Sequence, residues 1–462
     1  MSFPEDFVWG AAAASYQIEG AVDADGRGES VWDALCRKPG AILRGDTGEV
    51  ACDHYHRYAQ DVGLMKQIGL QAYRLSISWP RVMPEGQGPI NEAGLSFYDR
   101  LVDELLGAGI QPWVTLFHWD FPLALYHRGG WLNPDSPRWF ADYTTAVVER
   151  LSDRVSQWFT LNEPQCFINL GHAQGIHAPG VKLPLQQELL AAHHALVAHG
   201  RAVQAIRAAT SQPAQVGCAP VGNVCYPVRE TPECIEAAYR ATMSVAAMGT
   251  FNNTWFSDPA LLGHYPEDGL RLFDAHLPDA VRHAEADLET IRQPLDFFGV
   301  NIYQGSPVDV GPDGEPKPVD LPGDFPRTLI DWPVTPESLR WGPRFHHRRY
   351  GLPIVVTENG LSNPDWVGLD GACHDPQRID FTRRYLMALE QAGADGVPLA
   401  GYFHWSIMDN FEWAEGYRHR FGLIHVDYAT QKRTLKDSAH WYKQVIASHG
   451  ESLSDFDRPS AN

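Results

Sequence analysis

Ala72-Tyr-Arg-Leu-Ser-Ile-Ser78 reads as a short strand between two helical patterns. Before it, Tyr55, Tyr58, Val62, Met65 and Ile68 recur at helical spacing, with Asp53 placed as N-cap and Gly69 as stop. After it, Leu95, Tyr98, Leu101, Val102 and Leu105 form a second such face, closed by Gly107. The alternation continues along the chain. Pro112-Trp-Val-Thr-Leu-Phe117, Ser156-Gln-Trp-Phe-Thr-Leu161, Leu295-Asp-Phe-Phe-Gly-Val300, Pro353-Ile-Val-Val-Thr357 and Leu399-Ala-Gly-Tyr-Phe-His404 read as further strands. Phe7 to Ala12 and Gln215 to Ala219 are weaker candidates, and with them the count reaches eight.

Strands alternating with helices run parallel, because each return crossing is made by a helix. Eight such units predict a closed (β/α)₈ barrel, the TIM-barrel architecture, with long loops after the strands forming a mouth. An open doubly wound sheet is the competing topology, but no Gly-x-Gly-x-x-Gly follows the first strand. Residues 1–450 are expected to form one domain. Residues 451–462 are polar, contain Pro459 and are expected to be a frayed tail.

The 462 residues carry 37 basic and 57 acidic side chains, a net charge of −20. That balance argues against nucleic acid or an anionic membrane as partner, and more weakly against a phosphorylated substrate. The seven cysteines are irregularly spaced with no Cys-x-x-Cys pair, as in a reduced cytoplasmic protein without a zinc site. The N-terminus has neither a basic nor an apolar leader segment. No apolar run approaches the ~18 residues of a membrane span. His54-Tyr-His56 has the look of a metal-binding pair, but it opens a helix rather than ending a strand, and no metal or cofactor is expected.

Barrel enzymes place their chemistry where the strands end. The first run leads to Gln17. The second carries Arg74, and the third ends in His118-Trp119-Asp120. The fourth ends in Asn162-Glu163-Pro164, the sixth in Asn301-Ile302-Tyr303 and the seventh in Glu358-Asn359-Gly360. The eighth ends in Trp405, followed by Glu412 and Trp413. Two glutamates at strand ends share one mouth, and glycoside hydrolysis needs such a pair. One protonates the departing oxygen; the other meets the positive charge at the anomeric carbon. Gln17, His118, Asn162 and Asn301 suit sugar hydroxyls, and Trp405 and Trp413 suit a pyranose face.

These segments resemble the family 1 glycoside hydrolases, the β-glucosidase family, nearly end to end. The matching stretches are Phe7-Val-Trp-Gly-Ala-Ala-Ala-Ala-Ser-Tyr-Gln-Ile-Glu-Gly20, Tyr73-Arg-Leu-Ser-Ile-Ser-Trp-Pro-Arg81, His118-Trp-Asp120, Thr160-Leu-Asn-Glu-Pro164, Val356-Thr-Glu-Asn-Gly360 and Tyr402-Phe-His-Trp-Ser-Ile-Met-Asp-Asn-Phe-Glu-Trp413, followed by Arg420 to Tyr428. The resemblance implies a retaining exo-β-glucosidase acting on cello-oligosaccharides and aryl or alkyl β-glucosides, with side activity on β-galactosides and β-fucosides. It implies Glu163 as acid/base and Glu358 as nucleophile, supported by Arg74, Asn162 and Tyr303. Gln17, His118, Trp119, Asn301, Trp405, Glu412, Trp413 and Phe421 are implied as the sugar pocket, with Trp332 as a platform for the leaving group. The carboxyls are expected roughly 5–5.5 Å apart. Arg74 should hold Glu358 below its ordinary pKa, and Glu358 should raise that of Glu163.

The resemblance narrows the substrate at Glu412, since the 6-phospho branch of the family usually has Ser at the matching position. A carboxylate there repels phosphate, so a 6-phospho-β-glucosidase is the second reading and a non-catalytic sugar-binding barrel the third. Cys166 either lines the outer pocket or packs, and Asn223 falls where it would reach the mouth. The stretch from Val216 to Pro227 is the poorest match, and the loops between Pro307 and Pro333 are the least readable. The quaternary state, monomer or homo-oligomer, is left open.

Overall fold

A computed structural model describes residues 3–455. Eight parallel strands close into a barrel: β1 (Val8–Ala12), β2 (Ala72–Ser76), β3 (Gln111–Phe117), β4 (Gln157–Asn162), β5 (Gln215–Ala219), β6 (Phe297–Asn301), β7 (Ile354–Asn359) and β8 (Leu399–Trp405). Each lies beside its neighbours in chain order, and β1 closes the ring against β8 through Trp9 opposite Tyr402. Gly10 is required at this seam, since an added Cβ would sit 2.5 Å from the Phe403 ring and 2.8 Å from the Ala72 carbonyl.

Inside the barrel, Trp113, Phe159, Phe297 and Phe403 form one aromatic layer, with Trp113 centroids 5.9, 5.6 and 5.0 Å from the other three. Arg74 rests on this layer, its guanidinium carbon 5.0 Å from the Phe159 centroid. The regular ladder breaks at two strand ends, where β4 shifts register between Phe159 and Asn162 and β7 between Val356 and Glu358. An irregularity at a strand end re-aims the following side chain. These two precede Glu163 and Glu358.

Helix His54–Ile68 buries Tyr55, Val62, Met65 and Ile68, with Tyr58 at the margin, and Gly69 ends it at φ 82°. Asp53 does not cap it as expected. With φ 51° its carboxylate turns instead to His56 and Arg57. His54 bonds the buried Asp61 at 2.8 Å, and Arg433 completes that cluster, so the two histidines do not converge. In helix Glu92–Gly107 all five expected core residues are buried, but the left-handed residue past its end is Gly109, not Gly107.

The poorly readable loops hold a second sheet. Val224–Pro227 pairs in parallel with Gly305–Val310, which pairs antiparallel with Pro316–Pro318. Glu451–Ser454, at the start of the expected tail, form a short turn with Leu453 buried, while residues 456–462 lie outside the described residues. No helix among the described residues is long and apolar enough to cross a membrane.

A buried ion network ties the loops after β7 and β8 together. Lys436 bonds Asp365 at 2.5 Å and Asp409 at 2.7 Å, with all three side chains fully buried. Arg378 binds Asp365 and Asp375 as well as the carbonyls of Leu361, Arg420 and Phe421. Removing one partner of a buried pair strands the other charge. Lys436→Met should therefore lower unfolding free energy by about 3–5 kcal/mol in a denaturant titration. Burial pushes Asp365 up, but Arg378 and Lys436 outweigh it and hold it down to about 2. A depressed folded pKa adds stability above the unfolded value of about 4, which is lost as pH falls toward 2. Melting temperature should drop across that window, and by less in Asp365→Asn.

Candidate active site

The strand ends converge on a cavity of about 910 Å³. Glu163, Glu358, His118, Trp119, Asn301, Tyr303, Trp332, Trp405, Glu412, Trp413 and Phe421 all line it. Gln17, Arg74 and Asn162, also expected there, are not among the lining residues. Gln17 is fully buried and spends its amide nitrogen on Asn410, the Phe411 carbonyl and Glu412, the last at 3.5 Å, while its buried amide oxygen has no protein partner.

The direction of each hydrogen bond follows from Arg74, which can only donate. One Arg74 nitrogen bonds Glu358 Oε1 at 2.7 Å and the other bonds Asn162 Oδ1 at 2.6 Å. Asn162 must therefore turn its oxygen to Arg74 and its nitrogen to His118 Nε2, 3.0 Å away. That makes Nε2 an acceptor and His118 neutral. Burial and Arg74 both push His118 well below its ordinary pKa, in agreement. The group of Asn301 that lies 3.2 Å from Asn162 Oδ1 must be its nitrogen, and this nitrogen also donates to Glu163 Oε1 at 2.8 Å.

Tyr303 completes the hold on Glu358, its hydroxyl donating to Oε2 at 2.7 Å. Burial and the Glu358 charge push the Tyr303 pKa well up, so it stays a donor. The expectation for Glu358 itself needs correction. Burial outweighs Arg74, Tyr303 and Asn301, and its pKa moves up rather than down. At Glu163, burial and the Glu358 charge act together and push the value to about 8. Glu358 alone holds a guanidinium hydrogen bond, so it is the first of the two to ionise. Glu412 is also carried to about 8 by burial and by the charges of Glu358 and Glu163.

The walls are aromatic. Trp413 packs 4.5 Å from Trp32 and 4.6 Å from Trp119, and Trp405 stacks on His118 at 5.8 Å. Trp332 stands against Tyr303 at 5.0 Å and Phe421 at 6.2 Å. Trp119, Glu163 and Trp413 take φ of 78°, 43° and 49°, a strained region for side-chain-bearing residues and one that clusters at functional sites. Position 360, two residues past Glu358, is glycine because any Cβ there would lie 1.8 Å from the Trp405 carbonyl oxygen.

Sequence reasoning missed part of the site. Cys166 both lines the cavity and bonds Glu163 Oε2 through Sγ at 3.1 Å. It begins a π-helix, Cys166–Gln174, whose wider winding has no simple apolar period to reveal it. Leu43, Ile176 and Phe251 form an exposed apolar rim, and Asn223, from the poorest-matching stretch, also reaches the cavity.

Residues 1–451 match glycosyl hydrolase family 1. The chain is 43% identical to beta-glucosidase A of Thermotoga maritima, over 97% of this chain and 98% of that protein. It is 44% identical to beta-glucosidase A of Acetivibrio thermocellus, over 97% and 99%. The solved Thermotoga maritima beta-glucosidase in complex with glucoimidazole superposes with a TM-score of 0.88 at 42% identity, covering 97% of this chain and 99% of that one.

Since the charge on Glu358 raises the pKa of Glu163, Glu358→Gln should lower the Glu163 titration by at least about 1 unit, read by carboxyl carbon NMR. A titration that stays near 8 would show that burial alone sets it.

Proposed function

The chain belongs to glycosyl hydrolase family 1, and on that footing we propose that it is a retaining exo-β-glucosidase working by double displacement on unphosphorylated substrates. The observation that carries this reading is the unequal support of two glutamates in one cavity. Glu358 is gripped by Arg74 and Tyr303, whereas Glu163 has no cation in contact among the described residues.

In the first step Glu358 attacks the anomeric carbon while Glu163 gives its proton to the glycosidic oxygen. The aglycone leaves as an alcohol, and the sugar is held as an ester of Glu358. With the Glu358 charge gone, the pKa of Glu163 falls, and its carboxylate takes a proton from water as the water attacks the same carbon. Free sugar leaves with its β configuration kept, and both carboxyls return to their starting state. The second hydrogen on the Asn162 amide serves the sugar 2-hydroxyl, which contacts the site as positive charge develops. Trp405 and Trp413 take the sugar face, and Glu412 with Gln17 takes the far hydroxyls.

The absence of Lys and Arg among the described lining residues, with Glu412 where a phosphate would need a cation, disfavours a sugar phosphate. The rim of Leu43, Ile176, Phe251 and Trp332 suits aryl and alkyl aglycones as well as short cello-oligosaccharides. Side activity on β-galactosides and β-fucosides, a role in cello-oligosaccharide breakdown and a cytoplasmic setting complete the proposal. The seven unpaired cysteines fit that setting.

Glu358→Ala should abolish hydrolysis of 4-nitrophenyl β-glucoside, and activity within about tenfold of wild type would overturn the nucleophile assignment. Glu163→Ala should lose roughly 10²–10⁴ in rate on alkyl glucosides and far less on activated aryl ones. Equal losses would remove the acid role. The active form needs Glu163 protonated and Glu358 ionised, so kcat/KM should be bell-shaped and decline above a pH of about 8. Proton NMR of the first-formed product should show the β anomer.

A further inference from the structure

The two oxygens of Glu163 are not equivalent. Oε1 accepts from the Asn301 nitrogen, whose orientation is fixed through Asn162 by the donor-only Arg74. An amide nitrogen has no lone pair to receive a proton, so a proton on Oε1 would face a donor. The transferable proton therefore belongs on Oε2. The partner of Oε2 is Cys166 Sγ, 3.1 Å away, in a group buried to 6% exposure. A thiol both donates weakly and accepts weakly, which is what an oxygen that alternates between O–H and O⁻ requires.

We propose that Cys166 is a positioning residue for the acid/base, its thiol holding the proton-bearing oxygen of Glu163 and donating to it whenever the carboxyl is ionised. This rests on the acid/base reading of Glu163 given above. In the free enzyme Oε2–H rests on the sulfur with the thiol hydrogen turned aside about Cβ–Sγ, and the glycosidic oxygen of the substrate then takes the place of sulfur as its acceptor. Once the proton has moved to the leaving alcohol, the S–H swings back onto Oε2 and steadies the carboxylate that will act as base. No bond to sulfur is made or broken. Burial and the nearby glutamates push the thiol pKa well up, so it keeps its hydrogen throughout the working range.

The other groups that bear electrostatically on Glu163 are Glu358 and Arg74, together with Glu412 and Tyr303 nearby. None of them touches Oε2 in the described contacts. Cys166 is thus the one adjustable partner on that oxygen among the described residues, and it should shift the pH limbs of catalysis that burial and Glu358 set.

The test compares pH profiles of Cys166→Val, which removes the donor at similar volume, and Cys166→Ser, which strengthens it. Loss of a donor to the carboxylate raises the pKa of Glu163. The basic limb of kcat/KM on a phenyl β-glucoside should therefore move up by roughly 0.5 unit in Cys166→Val and down by a similar amount in Cys166→Ser. The acidic limb of kcat on an activated aryl glucoside, limited by the base-catalysed step, should move the same way in each variant. Limbs within about 0.2 unit of wild type in both variants, or moved the same way by both, overturn the proposal. An infrared difference spectrum, wild type minus Cys166→Ser, isolates the Cys166 S–H stretch. That band should fall in frequency as Glu163 ionises, and a band that ignores pH also overturns it. Glu163→Ala in the same assays separates the two claims, because leaving-group dependence there tests the acid/base reading without involving Cys166.

Discussion

The polar contacts around the two buried glutamates take their direction from Arg74, which has only N–H groups to offer. Set on the aromatic layer of the barrel and fully buried, its guanidinium donates to Thr115 and the Thr357 carbonyl as well as to Glu358 and Asn162. From that single polarity the amide of Asn162, the tautomer of His118, the amide of Asn301 and the accepting oxygen of Glu163 all follow. A lysine could supply the charge but not the planar fork that reaches two acceptors at fixed angles. The cost of burying this cation is offset by the carboxylate it meets, and the same pairing decides which of the two glutamates carries the negative charge.

The barrel makes the arrangement possible by departing from its own regularity. Were the ladders of β4 and β7 unbroken, strict alternation would send successive side chains alternately inward and outward. The register shifts near Asn162 and Glu358 interrupt that alternation where Glu163 and Glu358 turn to the cavity. The left-handed backbone at Glu163 and the glycine at 360 are further local concessions, each made where a side chain or a carbonyl must approach unusually closely.

The eight barrel strands were legible because each is a short apolar run bounded by helices, and their observed ends lie within two residues of the expected ones. Arg74, His118, Glu163, Asn301 and Glu358 were legible because a barrel funnels strand ends to one mouth. What escaped was set by three-dimensional competition. Asp53 has a capping side chain, but His56 and Arg57 take it. Gln17 was legible as a polar residue after a strand, but not that the Asp409 to Glu412 loop would take its amide nitrogen. Arg74 does pull on Glu358, but no sequence gives the depth of burial that outweighs it. Cys166 was read as lining the outer pocket or packing, but not as a partner of Glu163, since only the turn after Pro164 brings its sulfur back onto that carboxyl.

The ion network built on Arg378 and Lys436 has a consequence for how such a molecule diverges. It fastens the segments that carry Leu361, Asp409 and Phe421 to one buried set of charges, so a change in any of them is felt by all. The part of the rim where Ile176, Asn223 and Phe251 stand has no described tie to that set. One stretch of the mouth is thereby bound to a shared set of charges, while the other can change its side chains without disturbing that set.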